Sequence, residues 1–220
     1  MAHIDFLGTV HTQTARNYLQ RVVEWDKAEC ATVARRFDAQ YFDGDRRYGY
    51  GGYRYDGRWR AVAARIATHY HLPPGARILD IGCGKGFLLH DLLDAVPEAR
   101  VAGLDISPYA IAHALPSVSR RLVVGTADAL PYPDRSFDLV LAINTLHNLR
   151  AAALDAALRE IERVGRGAKY VVVDAFRNER EKVNLLYWQL TCQCFYMPED
   201  WEWWFGHTGY SGDHSFVVFE

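Results

Sequence analysis

The chain has 220 residues, of which 50% are hydrophobic and 24% are charged, and this composition excludes a disordered or collagen-like protein. Lysine and arginine number 25 and aspartate and glutamate 27, so the formal net charge of -2 argues against nucleic acid as a partner, because binding to phosphate backbones needs basic excess. No apolar run reaches the length of a membrane span and the amino terminus lacks a signal-peptide pattern, so we expect a cytoplasmic protein without a membrane partner.

The first part of the chain is predicted to be helical and then to form an aromatic loop. Apolar and aromatic side chains recur at three- and four-residue steps within residues 12–40, which predicts one or two helices. Residues 41–59, YFDGDRRYGYGGYRYDGRW, contain five glycines and are predicted to be a loop. Helical character resumes over residues 59–70 and ends before a Pro-Pro pair.

From residue 77 onward, short apolar strands alternate with helices. Strands are predicted at residues 77–81, 100–105, 121–124, 137–144, 169–174 and 215–219. Helices are predicted at residues 87–93, 108–114, 151–164, 179–194 and 199–207, the second of them opened by Ser107 as a cap and Pro108 just inside. Apolar strands separated by helices are typical of an α/β fold, with a doubly wound, mostly parallel sheet whose ligands lie at the carboxyl ends of the strands.

The stretch that carries chemistry is ILDIGCGKG, directly after the first predicted sheet strand. Gly82, Gly84 and Gly86 allow a sharp turn and a close approach to a ligand, and the following helix offers free N–H groups to an anion such as a carboxylate. Asp80 can accept hydrogen bonds from a ligand ammonium or from the loop amides. The spacing is D-x-G-x-G-x-G; a dinucleotide-binding loop would need glycine where Phe87 stands.

This stretch resembles motif I of the class I S-adenosylmethionine-dependent methyltransferases, and the resemblance extends over residues 60–176. It implies a Rossmann-like domain in which Asp105 binds the ribose hydroxyls, Ile106 lies against adenine and Asp128 contacts the adenine amino group. The cofactor-binding residues that it implies are Asp80, Gly82, Cys83, Gly84, Gly86, Asp105, Ile106, Asp128, Ala129 and Asn144.

The resemblance also sets expectations for the whole architecture. Residues 61–220 would form the domain that binds S-adenosylmethionine, and residues 1–60 would add N-terminal helices and an aromatic-rich lid, all in one structural unit. The family sheet usually has seven strands and ends in an antiparallel hairpin, whereas only one strand is predicted after residue 174. We therefore expect six or seven strands.

The residues after the fourth strand bear on the methyl acceptor. Residues 144–146 are Asn-Thr-Leu, not the Asn or Asp with two prolines and an aromatic that DNA amino-methyltransferases carry, which argues against a nucleobase amine. His147 follows them, and because the usual pKa of histidine, about 6.5, suits a general base, we expect it to deprotonate a hydroxyl. A structural histidine that caps a helix or packs under the lid is the alternative.

Arginines and tyrosines alternate in the predicted lid, at Arg46, Arg47, Arg54 and Arg58 and at Tyr48, Tyr50, Tyr53 and Tyr55. Arginine forks suit carboxylate or phosphate, so we expect a small anionic metabolite methylated at oxygen, of the sugar, nucleotide-sugar or carboxylate type. Local pairing with Asp43, Asp45 and Asp56 is the alternative. The substrate-binding candidates are Tyr50, Tyr53, Arg54 and Arg58 of the lid, with Asn184, Tyr187 and Trp188 of the helix after strand five.

Other functions stay open at this point. The first alternative acceptors are a nitrogen, a carboxylate and a protein side chain, and a regulatory subunit that binds S-adenosylmethionine without turnover is a further alternative. No metal is expected, because His207, His214 and Asp213 are a weak pattern and the cysteines Cys30, Cys83, Cys192 and Cys194 lack zinc spacing. A homodimer is one option for the assembly.

Overall fold

The computed structural model describes residues 1–11 and 17–220, and six strands among them form one sheet. In chain order the strands are β1 (Arg77–Ile81), β2 (Arg100–Asp105), β3 (Leu122–Val124), β4 (Phe137–Ile143), β5 (Gly165–Asp174) and β6 (Asp213–Val217). Their order across the sheet is β3-β2-β1-β4-β5-β6, and all five neighbouring pairs are parallel. The predicted doubly wound α/β fold is confirmed, with six strands in the described part of the chain.

Ten α-helices accompany the sheet within the described residues. They are α1 (Gly8–His11), α2 (Tyr18–Glu24), α3 (Lys27–Ala34), α4 (Ala39–Phe42), α5 (Arg60–His69), α6 (Phe87–Ala95), α7 (Pro108–Ala112), α8 (Ala151–Val164), α9 (Glu179–Trp188) and α10 (Pro198–Thr208). The predicted cap of α7 is confirmed, since the Ser107 side chain accepts a hydrogen bond from the Ala110 N–H at 3.0 Å.

Helices cover both faces of the sheet because successive strand residues point to opposite sides. In β1, Ile78 packs in the core cluster that contains Ile66 of α5, whereas its neighbour Leu79 packs in the cluster of Leu158 and Trp201 from α8 and α10. All five side chains are fully buried. Burial on both faces explains why the strands are apolar throughout and why they could be recognised in the sequence.

The far edge of the sheet differs from the expected antiparallel hairpin. β6 runs parallel to β5, and the amino-terminal residues pair with it in turn, through Ile4 N–H to the His214 carbonyl at 2.8 Å and His214 N–H to the Ala2 carbonyl at 3.0 Å. The buried Tyr170 hydroxyl of β5 bonds to the Ile4 carbonyl at 2.8 Å and to the Ser215 hydroxyl at 2.7 Å. The amino terminus is therefore integrated into the sheet core.

Several predicted boundaries are corrected by the structure. The helix expected over residues 179–194 ends at Trp188, because Lys27 Nζ donates to the carbonyls of Tyr187 and Gln189, at 3.2 and 2.6 Å, and Gln189 is extended. The last strand begins at Asp213, two residues earlier than predicted. Of the helical region expected over residues 12–40, residues 12–16 lie outside the described residues, and the rest holds α2, α3 and the start of α4.

The link between the amino terminus and the sheet can be tested with Tyr170→Phe. We expect the free energy of unfolding to fall by about 1–2 kcal/mol, because the change leaves two buried hydrogen-bonding groups without their partner. Urea unfolding followed by circular dichroism measures this. Tyr132→Phe is the matched control, since this half-buried ring packs on Phe137, and its effect should stay within about 0.5 kcal/mol. Equal effects of the two changes would contradict the interpretation.

Candidate active site

Two cavities adjoin each other at the carboxyl ends of the strands. The smaller, of about 310 Å³, follows the ends of β1 and β2 and the glycine-containing loop between β1 and α6, called here the glycine loop (residues 82–86). The larger, of about 440 Å³, lies at the ends of β4 and β5 against residues 41–59. Both are lined by Tyr41, Tyr50, Tyr53, Asn144 and Asn148. These five side chains form a common wall, and ligands in the two cavities would meet there.

The glycine loop can take its path only without side chains. Gly82 has φ +76°, and a Cβ there would lie 2.0 Å from the Thr145 hydroxyl oxygen. Gly84 has φ +54°, and its missing Cβ leaves room for the Tyr53 ring, which a Cβ would approach to 3.2 Å. The loop therefore needs glycine both for its backbone conformation and for the close packing of the lid tyrosine.

Asp105 fastens this loop to the end of β2. Its Oδ2 accepts the Gly84 N–H at 2.7 Å and its Oδ1 accepts the Ser107 N–H at 2.8 Å. Burial raises the pKa of Asp105, and the two main-chain hydrogen bonds counteract this in part. Because each carboxylate oxygen has a second lone pair, Asp105 can still accept hydroxyl hydrogen bonds from a ligand in the smaller cavity.

Asp80 is buried close to Asp105 without such compensation. It is 4% exposed, and the loop amide that might have served it is bonded to Asp105 instead. Burial, followed by the charge of Asp105, raises the pKa of Asp80 to about 8. Asp80 does not line the cavity, so its effect on a ligand is electrostatic: a cation in the smaller cavity would favour the ionised carboxylate.

The predicted cofactor-binding residues, including those already described, divide into two groups. Those that line the smaller cavity are Gly82, Gly84, Asp105, Ile106, Asp128 and Asn144. Those outside its lining are Asp80, Cys83, Gly86 and Ala129. Ile106 is 55% exposed, so its apolar side chain is accessible from the smaller cavity, which it lines. Cys83 packs into the core instead, and burial raises the pKa of its thiol.

Two asparagine side chains in the common wall carry buried acceptors. The Oδ1 atoms of Asn144 and Asn148 have no hydrogen-bond donor among the residues that the structure describes. Asn144 adopts φ +54° directly after β4, and its carbonyl accepts a bond from Asn148 Nδ2 at 3.3 Å. Buried amide oxygens are normally satisfied, so both are candidates to accept N–H or O–H groups of a ligand. Sequence reasoning missed Asn148, which a single turn of 3-10 helix brings beside Asn144.

A buried lysine ties the lid to the glycine loop. Lys85 Nζ donates to Asp43 Oδ2 at 2.6 Å and to the Tyr53 carbonyl at 2.9 Å, and the Tyr109 hydroxyl donates to the same Asp43 oxygen at 2.7 Å. Although burial opposes it, these hydrogen bonds lower the pKa of Asp43. This pairing was not predicted, because its partners are far apart along the chain.

His147 forms a buried pair with Asp174 in the larger cavity. The Asp174 main-chain N–H donates to His147 Nδ1 at 3.1 Å, and His147 Nε2 lies 3.5 Å from Asp174 Oδ2. Burial lowers the pKa of His147, which Asp174 offsets only in part, so the ring is neutral at pH 7. Since Nδ1 accepts a hydrogen bond, the ring proton sits on Nε2, facing the carboxylate. Gln189 Nε2 also donates to Asp174 Oδ2.

The predicted substrate residues are only partly brought together. Tyr50, Tyr53, Arg54, Arg58 and Trp188 line the larger cavity, with Arg58 held by Asp56 at 2.6 Å. Other candidates lie outside the lining of both cavities; they are Asn184, which bonds to the Phe219 carbonyl at 2.9 Å, together with Tyr187, Arg47, Tyr48 and Tyr55. Asn184 and Tyr187 both lie within α9, and of the three predicted residues of this helix only Trp188, at its end, lines the larger cavity.

The histidines considered for a metal are separate in the structure. His207 lies 3.5 Å from Asp155, whereas His214 packs against Phe205 and Phe216. In the described part of the chain, one group has metal-ligand spacing, His90, Asp91 and Asp94 of α6, and it lies outside both cavities. No helix among residues 1–11 and 17–220 is both long and apolar enough to cross a membrane.

The sequence of this chain is similar to those of known methyltransferases. The methyltransferase domain family matches residues 78–167. The chain is 33% identical over 138 residues to a demethylmenaquinone methyltransferase of Roseiflexus sp. (strain RS-1), covering 60% of this chain and 56% of that protein. It is 33% identical over 123 residues to a 2-methyl-6-phytyl-1,4-hydroquinone methyltransferase of Synechocystis sp. (strain PCC 6803), covering 54% of this chain and 38% of that protein.

A similar fold has been solved in the YcgJ protein from Bacillus subtilis. The two structures match with a TM-score of 0.57 at 23% identity, over 66% of each chain. The chain spans about half the length of the curated relatives that it matches first. The family match over residues 78–167 contains the glycine loop and the end of β2.

The uncompensated burial of Asp80 predicts a pH-dependent stability. Because its pKa in the folded state, about 8, lies far above that of an unfolded aspartate, the folded protein loses stability as the pH rises from about 4 to 8. We expect Asp80→Asn to be more stable than the parent by about 1–3 kcal/mol at pH 8.5, with a smaller difference at pH 5.5. Urea unfolding at both pH values measures this.

The exposed Asp128 provides the control for this experiment. Asp128→Asn should change the free energy of unfolding by less than about 0.5 kcal/mol at either pH. An Asp80→Asn protein whose stability follows the parent's at both pH values would refute the raised pKa.

Proposed function

We propose that this chain, which matches the methyltransferase domain family over residues 78–167 and resembles the class I S-adenosylmethionine-dependent methyltransferases, transfers the methyl group of S-adenosylmethionine to an oxygen of a small polar acceptor, releasing S-adenosylhomocysteine. The observation that carries the proposal is the junction of two cavities at one wall, with the glycine loop and Asp105 on one side and the His147–Asp174 pair on the other.

The residues of the smaller cavity fit S-adenosylmethionine. Asp105 has lone pairs for the ribose hydroxyls, the exposed Ile106 offers an apolar surface for adenine, and Asp128 can accept from its amino group. The ammonium and sulfonium charges would favour the ionised form of the nearby Asp80, whose pKa is raised to about 8, and Gly82 and Gly84 leave the space that a Cβ would fill. When bound, S-adenosylmethionine supplies a methyl group already activated by the positive charge of its sulfur.

We propose that the larger cavity holds the acceptor and that a side chain in its lining accepts the acceptor's proton. His147 was predicted as the base, but its Nδ1 is engaged by a main-chain N–H and its Nε2 carries the proton that faces Asp174. We therefore assign proton acceptance to the Asp174 carboxylate, which lines the cavity, and give His147 and Gln189 the role of holding it in place. The role of base that was predicted for His147 is thus reassigned to Asp174.

Several features support a polar acceptor with an oxygen nucleophile. The cavity wall carries Arg54, which suits an anionic metabolite, whereas the neighbouring Arg58 is already paired with Asp56. A hydroxylated ring is the second candidate class, favoured by the aromatic lining of the same cavity, which includes Trp59, Phe87 and Trp188, and by the ring compounds in the names of two relatives.

Calorimetry and labelling test the proposed reaction. We expect S-adenosylmethionine and S-adenosylhomocysteine to bind the parent protein, and Asp105→Asn to weaken both by about tenfold or more, since an amide cannot accept all of the same hydrogen bonds. Asp94→Asn, on the exposed side of α6, is the control and should bind as the parent does. Methyl-labelled S-adenosylmethionine with a metabolite extract should then give a labelled product.

The outcomes separate the alternatives. No binding of either nucleoside overturns the proposal. Binding without label transfer to any metabolite, amine or protein indicates a regulatory subunit, and label on nitrogen or on protein indicates a different acceptor class.

The roles of Asp174 and His147 can be distinguished by kinetics with the labelled acceptor. We expect Asp174→Asn to lower kcat by about 100-fold or more and His147→Gln by about tenfold, because only the first removes the proton acceptor. S-adenosylhomocysteine affinity should stay within about twofold in both, which controls for folding. A larger loss in His147→Gln than in Asp174→Asn would return the role of base to the histidine.

A further inference from the structure

Three side chains outside both cavities connect the lid (residues 41–59) to the glycine loop and to α7, and they are called here the latch: Asp43, Lys85 and Tyr109. Lys85 Nζ and the Tyr109 hydroxyl both donate to Asp43 Oδ2, at 2.6 and 2.7 Å. The Lys85 side chain is only 8% exposed, so the ion pair is largely shielded from water. Because the latch lines neither cavity, it can affect a ligand only through the residues that it holds.

The latch fixes the main chain of Tyr53, a residue of the common wall. The Tyr53 N–H donates to Asp43 Oδ1 at 3.0 Å, and the Tyr53 carbonyl accepts from Lys85 Nζ at 2.9 Å. Both main-chain polar groups of Tyr53 are thus bonded to the two charged members of the latch. The Tyr53 ring stacks on Phe87 with centroids 4.6 Å apart. A residue that lines both cavities is therefore positioned from outside them.

The lid has secured ends and an irregular middle. Phe42 is buried at one end, and near the other the Tyr55 hydroxyl donates to the buried Asp91 of α6 at 2.6 Å. Residues 43–59 contain neither helix nor strand, and irregular segments with exposed main chain open at a lower free-energy cost than a buried sheet does. The lid residues that line the smaller cavity are Tyr41, Phe42, Tyr50 and Tyr53. Movement of residues 43–54 would therefore open the smaller cavity.

We propose that Asp43 and Lys85 are positioning residues that latch the lid over the smaller cavity, and that opening of this latch limits the rates at which S-adenosylmethionine enters and S-adenosylhomocysteine leaves. Opening separates a shielded ion pair and leaves the buried Lys85 without its partners, so the open lid is strongly disfavoured. This inference rests on the proposed function for the identity of the nucleoside, whereas the contacts of the latch do not depend on it.

Stopped-flow fluorescence with S-adenosylhomocysteine tests the latch in the unchanged protein. If the lid has to open before the nucleoside enters, the observed binding rate should level off as the nucleoside concentration rises, because opening then becomes the slow step. A binding rate that rises linearly up to the highest concentration would overturn the proposal, and this result does not depend on how any variant folds.

Variants then assign the slow step to the latch. Lys85→Met removes the charge but keeps an apolar stem, and the partly exposed Asp43 remains hydrated. We expect both the association and the dissociation rate of S-adenosylhomocysteine to rise by about tenfold, since a charged hydrogen bond no longer holds the lid. The dissociation constant should stay within about threefold, because the latch holds the lid in the free and the bound protein alike. Lys85→Arg should return both rates towards those of the parent.

Asp45→Asn is the matched control. Asp45 is an exposed lid aspartate whose carboxylate lies 3.9 Å from Arg47, so its removal takes the same charge from the lid but leaves the latch intact. This variant should bind and release the nucleoside at the parent's rates. Equal rates in Lys85→Met and Asp45→Asn would contradict the proposal. So would a faster dissociation with unchanged association in Lys85→Met, because a lost contact rather than an opened lid would then explain it.

Amide hydrogen exchange reports on the lid without any nucleoside. Residues 43–54 should exchange faster by about tenfold in Lys85→Met than in Asp45→Asn, while β4 and β5 stay as protected as in the parent, which controls for folding. Equal exchange of the lid in the two variants overturns the proposal. Failure of S-adenosylhomocysteine to bind would instead refute the proposed function, and the exchange comparison would still decide whether the latch holds the lid.

Discussion

The site depends on two carboxylates that end neighbouring parallel strands and are both buried. Asp105 is compensated, because the N–H groups of Gly84 and Ser107 bind its two oxygens, and the same bonds give the glycine loop its shape. Asp80 lies beside it, and burial, followed by the charge of Asp105, raises the pKa of Asp80 to about 8. Such an arrangement costs folding stability, and proteins retain it where a ligand restores the balance. In the proposed reaction, that ligand is a cation.

The glycine loop also contacts the lid, residues 41–59, and stabilises its position. Gly84 leaves room for the Tyr53 ring, that ring stacks on Phe87 with centroids 4.6 Å apart, and Lys85 holds Asp43 and the Tyr53 carbonyl. Tyr53 in turn belongs to the common wall, whose side chains line both cavities. The stretch that shapes the smaller cavity therefore also fixes one side of the larger, so a change in the loop would be felt in both.

The sequence predicted those features that are encoded locally. The apolar strands, the Ser107-Pro108 helix start and the three glycines each depend on a few adjacent residues, and the sheet follows from them. Features made by distant residues could not be predicted: Lys27 ends α9 early, Asp43 meets Lys85, and Asp174 faces His147. The binding of an anion by the lid arginines stays a prediction. Alternation of Arg and Tyr indicated a charged, aromatic segment, but the sequence could not show that Arg58 is paired with Asp56 or that Arg46 lies over the Trp188 ring.

The two cavities differ in their charged groups, and this difference suits the proposed reaction. Asp105 lines the smaller cavity with Asp80 buried beside it, and because the pKa of Asp80 is about 8, a cation bound there would favour its ionised form; Arg54 lines the larger cavity. The common wall consists of uncharged tyrosines and asparagines, Tyr50 and Asn144 among them. A cationic donor would therefore favour the smaller cavity and an anionic acceptor the larger. The neutral wall suits the step itself, because methyl transfer from a sulfonium to an oxyanion diminishes both charges, and fixed dipoles of low charge favour that less polar transition state over the separated ions. Asp174, at the edge of this wall and held by His147, then needs only to receive one proton.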